Sequence, residues 1–415
     1  MTKKEYQIKS VKAREILDSR GNPTIEVKVE TNLGKFSASV PAGASKGKYE
    51  AVELRDTDGR GVLKAIENIE KIISPVLLKE NLTDQKRIDE ILINLDGTKN
   101  KSRLGANAIL AISIAMCRAG AAANHLPLYE YINEIGNWKL EIENWRIPKP
   151  SFNMIEGGKH AQNHLIFQEF MIMPQKLDFE ENLKIGKRVY QELKKILENK
   201  FGKMNVKLSF EGAFSAPLKE VSEALDFIMA AAKNAGYEND VKIAIDAAAS
   251  EFFRDNNYRM GEKMISSDEL LEIYDDLVKK FPIILIEDPF YEEDFESFTE
   301  IKKRMGERVI IFGDDLTVSN TDRIKMAQER KSLSGLILKP NQIGTVTETL
   351  EAAKLAKDFG WKIMVSNRAG ETEDDFIADL SVGISADFIK SGAPFSKERM
   401  AKYNRLLKIR KELYG

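Results

Sequence analysis

Three acids and a lysine recur at the same place in successive repeats of the chain. Asp246 ends the apolar run IAID, Glu287 ends LIE, Asp314 follows IFG and Lys339 ends LILK. The intervals are 41, 27 and 25 residues, each about the length of one strand-plus-helix unit. A lysine is almost never fully buried unless it is paired, and Pro340 directly after it cannot continue a sheet ladder. Parallel strands would bring all four ends to one rim. Three carboxylates meeting there repel one another unless a cation lies among them. An oxygen-only ligand set suits a hard dication, Mg²⁺ above all. A lysine beside that dication would have its pKa lowered, leaving a neutral amine to act as a base. Asp288 and Asp315 stand next to two of these acids and are alternative ligands. Glu169 in FQEFMIMP and Glu211 in LSFEGAF add carboxylates, while Arg368 in VSNRAG and Lys390 in DFIKSGAP add cations. Acids on one side and cations on the other would hold a small anionic substrate.

The elements around these residues follow two rhythms. In residues 5–40, YQIKSVKAREI, TIEVKVET and GKFSASV alternate apolar and polar positions, with turn signals at Arg20-Gly21-Asn22-Pro23 and Asn32-Leu33-Gly34. Helical periodicity follows over 59–75, 84–95 and 103–125. This pattern predicts an α+β domain over residues 1–135, with Pro148 and Pro150 as punctuation soon after it. From residue 140 to 415, strand-like segments alternate with helices at 178–200, 219–235, 266–280, 294–305, 320–329 and 345–358. About eight strands over about 260 residues match a (β/α)8 barrel, with a doubly wound open sheet as the alternative. VKLSFEG is counted among the strands. No G-x-G-x-x-G follows a strand, which argues against dinucleotide binding.

Composition narrows the class. Lys and Arg number 63 against 65 Asp and Glu, with no block of one sign, which argues against a nucleic-acid face. A single cysteine, Cys117, precludes an intrachain disulfide and reads as a small core residue. The start, MTKKE, lacks an apolar signal region, and no apolar run is expected to reach the ~18 residues of a membrane span. A soluble cytoplasmic protein is the expectation.

Longer motifs carry a resemblance. AREILDSRGNPTIEV (13–27), VPAGASKGKYEAVELRD (40–56), LGANAILAISIAMCRAGAA (104–122), GDDLTVSN (313–320), NQIGTVTE (341–348) and GETEDDFIADL (370–380) are similar to the signatures of the enolase family, the phosphopyruvate hydratases of glycolysis. The resemblance runs nearly end to end. It implies an α+β capping domain before a (β/α)8-type barrel, a lyase reaction, Mg²⁺ at two ions per site, a phosphorylated carboxylate substrate and a homodimer. It implies that Asp246, Glu287 and Asp314 hold the first Mg²⁺ and that Ser45, in a glycine-rich loop, touches the second. Lys339 would remove the proton α to the carboxylate, and Glu211 supported by Glu169 would help the β-hydroxyl leave. Arg368 would bind the phosphate, Lys390 would stabilise the dianionic intermediate, and His160 would reach the site from a mobile loop.

Several positions depart from the family pattern. Asn367 stands where the family has histidine, and Ala369 where it has serine. Ala42 replaces serine and Lys46 replaces threonine in the glycine-rich loop. Glu156 replaces asparagine and Lys159 replaces serine before His160. The loop Phe210-Glu211-Gly212-Ala213 replaces Asp-Glu-Gly-Gly. The metal and proton-transfer positions are kept while the surroundings of the substrate change. Two other readings follow: a paralogue running the same half-reaction on a different acidic carboxylate, and a non-catalytic binding protein. The intact acid and lysine set argues against the second.

Overall fold

The computed structural model describes residues 7–78, 80–81, 83–138 and 145–415. The expected start of the first strand at Tyr6 and the junction near 140 lie outside the described residues. Strands β1 (Ile8–Leu17), β2 (Pro23–Thr31) and β3 (Lys35–Ser39) form an antiparallel meander. Between β1 and β2 the Asp18 carboxylate accepts the backbone N–H groups of Arg20 and Asn22 at 2.8 and 2.9 Å, and Gly21 turns at φ +77°. This is the Asx-turn chemistry that the motif DSRGNP supplies. Helices Gln85–Asp96 and Ala106–Ala123 follow as expected, together with a helix at Leu128–Ile135 that the periodicity did not reveal.

The helix Ala106–Ala123 corrects one expectation. Its 18 residues are long and apolar enough to cross a membrane by composition, but 89% of that stretch is buried inside the protein. It packs on β2 and β3, so its apolar character is that of a core helix. Among the described residues it is the one helix that meets the test.

The second domain is a closed barrel of eight strands. They are β4 (Lys149–Glu156), β5 (Glu169–Pro174), β6 (Val241–Asp246), β7 (Ile283–Glu287), β8 (Ile310–Gly313), β9 (Gly335–Leu338), β10 (Lys362–Ser366) and β11 (Phe388–Lys390). β11 closes the ring by pairing with β4. Met171, Met173, Ala244, Leu285, Phe312, Ile337, Met364 and Phe388 fill its interior. The outer helices begin where their caps dictate. Asp178, Ser266, Asp294, Asn320 and Thr345 each accept a backbone N–H of the first turn.

Two features differ from the expected alternation. VKLSFEG is not a barrel strand. Only Lys207–Leu208 and Phe214–Ser215 pair, as a two-residue hairpin beside β4, and Glu211 lies in the turn between them. The barrel position belongs to β4, whose residues from Pro150 to Glu156 are all buried. Its prolines read as punctuation, yet Pro150 sits near the strand start, where a missing N–H is tolerated. The barrel is also mixed: β5 runs antiparallel to both β4 and β6. Its first residue, Glu169, therefore lies on the rim where the other strands end.

The two domains are pinned together by charge. The Arg118 guanidinium, on the helix Ala106–Ala123, donates to both Asp374 oxygens at 2.6 and 2.9 Å. Asp374 also accepts the N–H of Ser39 at 3.0 Å. Replacing Asp374 by Ala removes its bidentate contact with Arg118, which keeps Asp375 and the Ser37 carbonyl at 3.0 and 2.7 Å, and leaves the Ser39 N–H without its acceptor; stability should fall by about 1–3 kcal/mol. A fall in the urea midpoint at unchanged slope would register it, and an unchanged midpoint would remove the pair from the fold's main supports.

Candidate active site

Strand register builds a row of acids. Glu156 is opposite Glu169, Glu169 is opposite Asp246, and Asp246 is opposite Glu287. Four carboxylates thus stand side by side on four neighbouring strands, all buried. Asp314 continues the row just beyond the end of β8. Lys339 and Lys390 close the arc from β9 and β11.

The lysines neutralise these acids directly. Lys390 Nζ donates to Glu169 Oε2 at 2.8 Å and to Glu287 Oε1 and Oε2 at 3.0 and 2.8 Å. Burial would lower its pKa, but Glu169 and Glu287 outweigh burial and hold it well above the ordinary lysine value. Lys339 donates to Asp314. Burial again pulls its pKa down, and the Asp314 carboxylate more than reverses this. The expected lowering of Lys339 is therefore not found while Asp314 faces it alone. Burial pushes Asp314 up, but the Lys339 charge outweighs it and holds the carboxyl below its usual range.

The acids offer oxygen to a hard cation, with differences among them. Asp246 accepts from the N–H of Ala248 at 2.8 Å and from Gln168 Nε2 at 3.2 Å. Asp314 accepts from Gln342 Nε2 at 2.8 Å. Asp288, at φ +41°, spends both oxygens on the N–H groups of Asp314 and Asp315, at 2.9 and 2.7 Å. It serves as a brace for the turn. Among the described residues, the groups whose ligand atoms lie closest are Asp288–Asp314–Asp315 and His160–Glu169–Glu211. Asp246, Glu287 and Asp314 are adjacent along the rim but more widely spread.

At the other end Glu211 accepts from Asn367 Nδ2 at 2.9 Å and Asn153 Nδ2 at 3.3 Å. His160 is buried, with Nδ1 at 3.5 Å from Glu169 and 3.9 Å from Glu211. Arg368 grips Glu50 through both terminal nitrogens at 3.0 and 3.1 Å. It also donates to the Ser45 carbonyl and to Asn341, both at 3.0 Å. Loop 41–50 thus lies over the site. A Cβ at Gly43 would overlap the Arg368 guanidinium, so the close approach requires glycine. The cavity lined by Ser45, His160, Glu211, Lys339, Arg368 and Lys390 measures only about 10 Å³, room for about one water. The lid is therefore closed.

The candidate catalytic, metal-binding and substrate-binding residues lie on or beside this rim. Ala369 is buried beside Arg368. Lys46 and Lys159 do not enter: they pair at the rim with Glu53 at 2.8 Å and Glu251 at 2.5 Å. Sequence reasoning missed Glu50, Asn341 and Gln342, although all three lie inside quoted motifs. It also missed Arg399, fully buried, which donates to the Arg368 and Ala369 carbonyls at 2.7 Å each. Nothing in its polar C-terminal helix signalled that.

Residues 8–132 match the family described as "Enolase, N-terminal domain", and residues 144–415 match "Enolase, C-terminal TIM barrel domain". The protein named Enolase B of Dictyostelium discoideum is 49% identical over 425 residues, covering 98% of this chain and 95% of that one. With both domains matched and the rim of acids and lysines in place, the chain belongs to the enolase family and is a hydro-lyase.

Proposed function

We propose that the chain dehydrates 2-phosphoglycerate to phosphoenolpyruvate with the residues of this rim. One observation carries the reading: Lys339 and Glu211 line a single closed cavity together with Lys390 and Glu169, which are joined to each other at 2.8 Å. Asp246, Glu287 and Asp314 would hold Mg²⁺. Their all-oxygen, buried donor set fits that ion. A dication there supplies the positive charge against which an aci-carboxylate can form. Ser45 would serve a second ion from the lid. Cytoplasmic residence and a homodimer belong to the same proposal, supported by family membership.

The residues then divide the chemistry. Lys339 Nζ, released from Asp314, takes the α-proton. Lys390 sits between Glu169 and Glu287, where its charge would neutralise the growing negative charge of the intermediate. At the other end a protonated Glu211 carboxyl would give its proton to the β-hydroxyl as the β C–O bond breaks; the C–O electron pair leaves with the oxygen as water, and the pair left by the α-proton forms the C=C bond. Arg368 receives the phosphate as its contact with Glu50 is shared or exchanged. Asn367 and Ala369 flank it, and they favour a second reading in which the same half-reaction serves a different phosphorylated carboxylate.

Glu287→Ala should weaken Mg²⁺ binding severely in calorimetry, and an unchanged affinity would remove Glu287 from the metal set. With 2-phosphoglycerate and Mg²⁺ present, Glu211→Gln should still exchange the α-proton with solvent deuterium while elimination falls by ~10²–10⁴-fold. Lys339→Ala should lose exchange, and exchange surviving in that variant would assign the base elsewhere. Restoring a serine hydroxyl to the phosphate returns a charge-assisted hydrogen bond of about 1.5–3 kcal/mol. Asn367→His combined with Ala369→Ser should therefore raise kcat/KM for 2-phosphoglycerate by about 10-fold or more. An unchanged value with a fully active parent would show that the hydroxyl is not needed.

A further inference from the structure

Glu156 ends β4 with no exposed surface, and the reaction described above gives it no role. Its Oε1 accepts from Asn153 Nδ2 at 2.9 Å. Among the described residues its Oε2 is buried without a hydrogen-bond partner, and so is Nδ1 of His160, 3.7 Å away. We infer that Glu156 stands in this pocket as a neutral carboxylic acid whose Oε2–H faces Nδ1 of His160 across that 3.7 Å, a gap that a small side-chain rotation closes to hydrogen-bond distance, and that it is a positioning residue for the leaving-group end of the site. The inference rests on the dehydratase reading only for its kinetic consequence.

The geometry argues for a proton. Glu156, Glu169 and Glu211 surround one imidazole nitrogen at 3.7, 3.5 and 3.9 Å. Glu169 has the Lys390 ammonium at 2.8 Å, and Glu211 has Arg399 at 4.0 Å as well as two amide donors. Among the described residues Glu156 has no lysine or arginine at ion-pairing distance. Tyr190, on the helix Phe179–Phe201 packed against β4, spends its hydroxyl on the Gly212 carbonyl at 2.7 Å. Ser209 gives its hydroxyl to the Ala213 carbonyl at 3.0 Å and also faces the Glu156 carboxyl, where its downward pull on the pKa is weaker than the upward push of burial. An uncompensated buried carboxylate neutralises itself by taking up a proton. Burial first, then the Glu211 and Glu169 charges, push Glu156 well above the usual carboxylate range. Burial lowers His160 against the pull of Glu211 and Glu169. A neutral imidazole has one nitrogen that accepts, and a carboxylic acid has one hydrogen to give. The pairing satisfies both orphaned atoms at once.

The arrangement fixes the His160 tautomer and removes one negative charge from the end of the site where the hydroxyl departs. Ionisation of Glu156 at higher pH would return that charge and release the imidazole.

The test compares the natural protein with Glu156→Gln, both saturated with Mg²⁺. The E156Q side chain keeps a hydrogen-bond donor and cannot titrate. The infrared difference spectrum, natural minus E156Q, should show a carboxylic-acid C=O band at neutral pH that disappears as pH rises. The kcat of the natural protein should fall over the same pH range by about 10-fold or more, and E156Q should lack that limb. Absence of the band at neutral pH overturns the inference, as does a superimposable pH profile in E156Q. Should E156Q fail to fold, E156N provides the same comparison. If the band is present and titrates while 2-phosphoglycerate is not turned over, Glu156 stands as inferred and the substrate reading fails.

Discussion

Four carboxylates in register on adjacent strand ends are the constraint to which the rest of the site responds. Glu156, Glu169, Asp246 and Glu287 would not tolerate one another in a dry interior without compensation, because an isolated buried charge costs far more than any packing gain can offset. The compensation is specific. The Lys390 ammonium joins Glu169 to Glu287 across the barrel mouth, and Lys339 holds Asp314. Removing a cation from such a pair is costly, whereas exchanging it for another cation is not. On the proposed reading, a dication held by Asp246, Glu287 and Asp314 would take the place of the ammonium contacts and free Lys339.

The reversal of β5 follows from the same constraint. A strand entering the rim with its N-terminal end can place Glu169 between Glu156 and Asp246. A parallel strand of the same sequence would deliver its terminal Met173-Pro174 there instead. The mixed barrel is thus the arrangement that brings the second acid beside the first metal-ligand candidate.

Much of this was legible in the sequence, and the failures have physical causes. The spacing of Asp246, Glu287, Asp314 and Lys339 announced the parallel part of the barrel, because each parallel strand ends at the same rim. The antiparallel start defeated the same logic: Glu169 opens its strand, so no end-of-strand pattern marks it. β4 was hidden by Pro148 and Pro150, and VKLSFEG offered an alternation that its short hairpin did not use, with Leu208 half exposed. Most of the barrel's outer helices were readable from their period, whereas the short helix Leu128–Ile135 was not. Arg399 was not readable, because its role depends on carbonyls of residues 30 and 31 positions away in the chain. Glu156 was visible as a departure from the family, but its neighbours across the barrel were not.

The lid comes from the other domain. Loop 41–50 leaves the meander, pairs Ala42 with Gly370 through mutual backbone hydrogen bonds of 2.8 and 2.9 Å, and sets Glu50 on Arg368. The cavity beneath holds about one water, so a phosphorylated substrate can enter only after the loop has moved. Opening must break the two-pronged Arg368–Glu50 contact, and a buried arginine left unpaired is costly. A phosphate arriving at Arg368 supplies the replacement anion with matching geometry. With Arg368 taking the phosphate as proposed, substrate entry and lid release would be coupled through one guanidinium: the ligand that needs the lid open would be the ligand whose charge offsets the cost of opening. Arg399, donating to the carbonyls of Arg368 and Ala369, anchors the backbone from which that guanidinium extends.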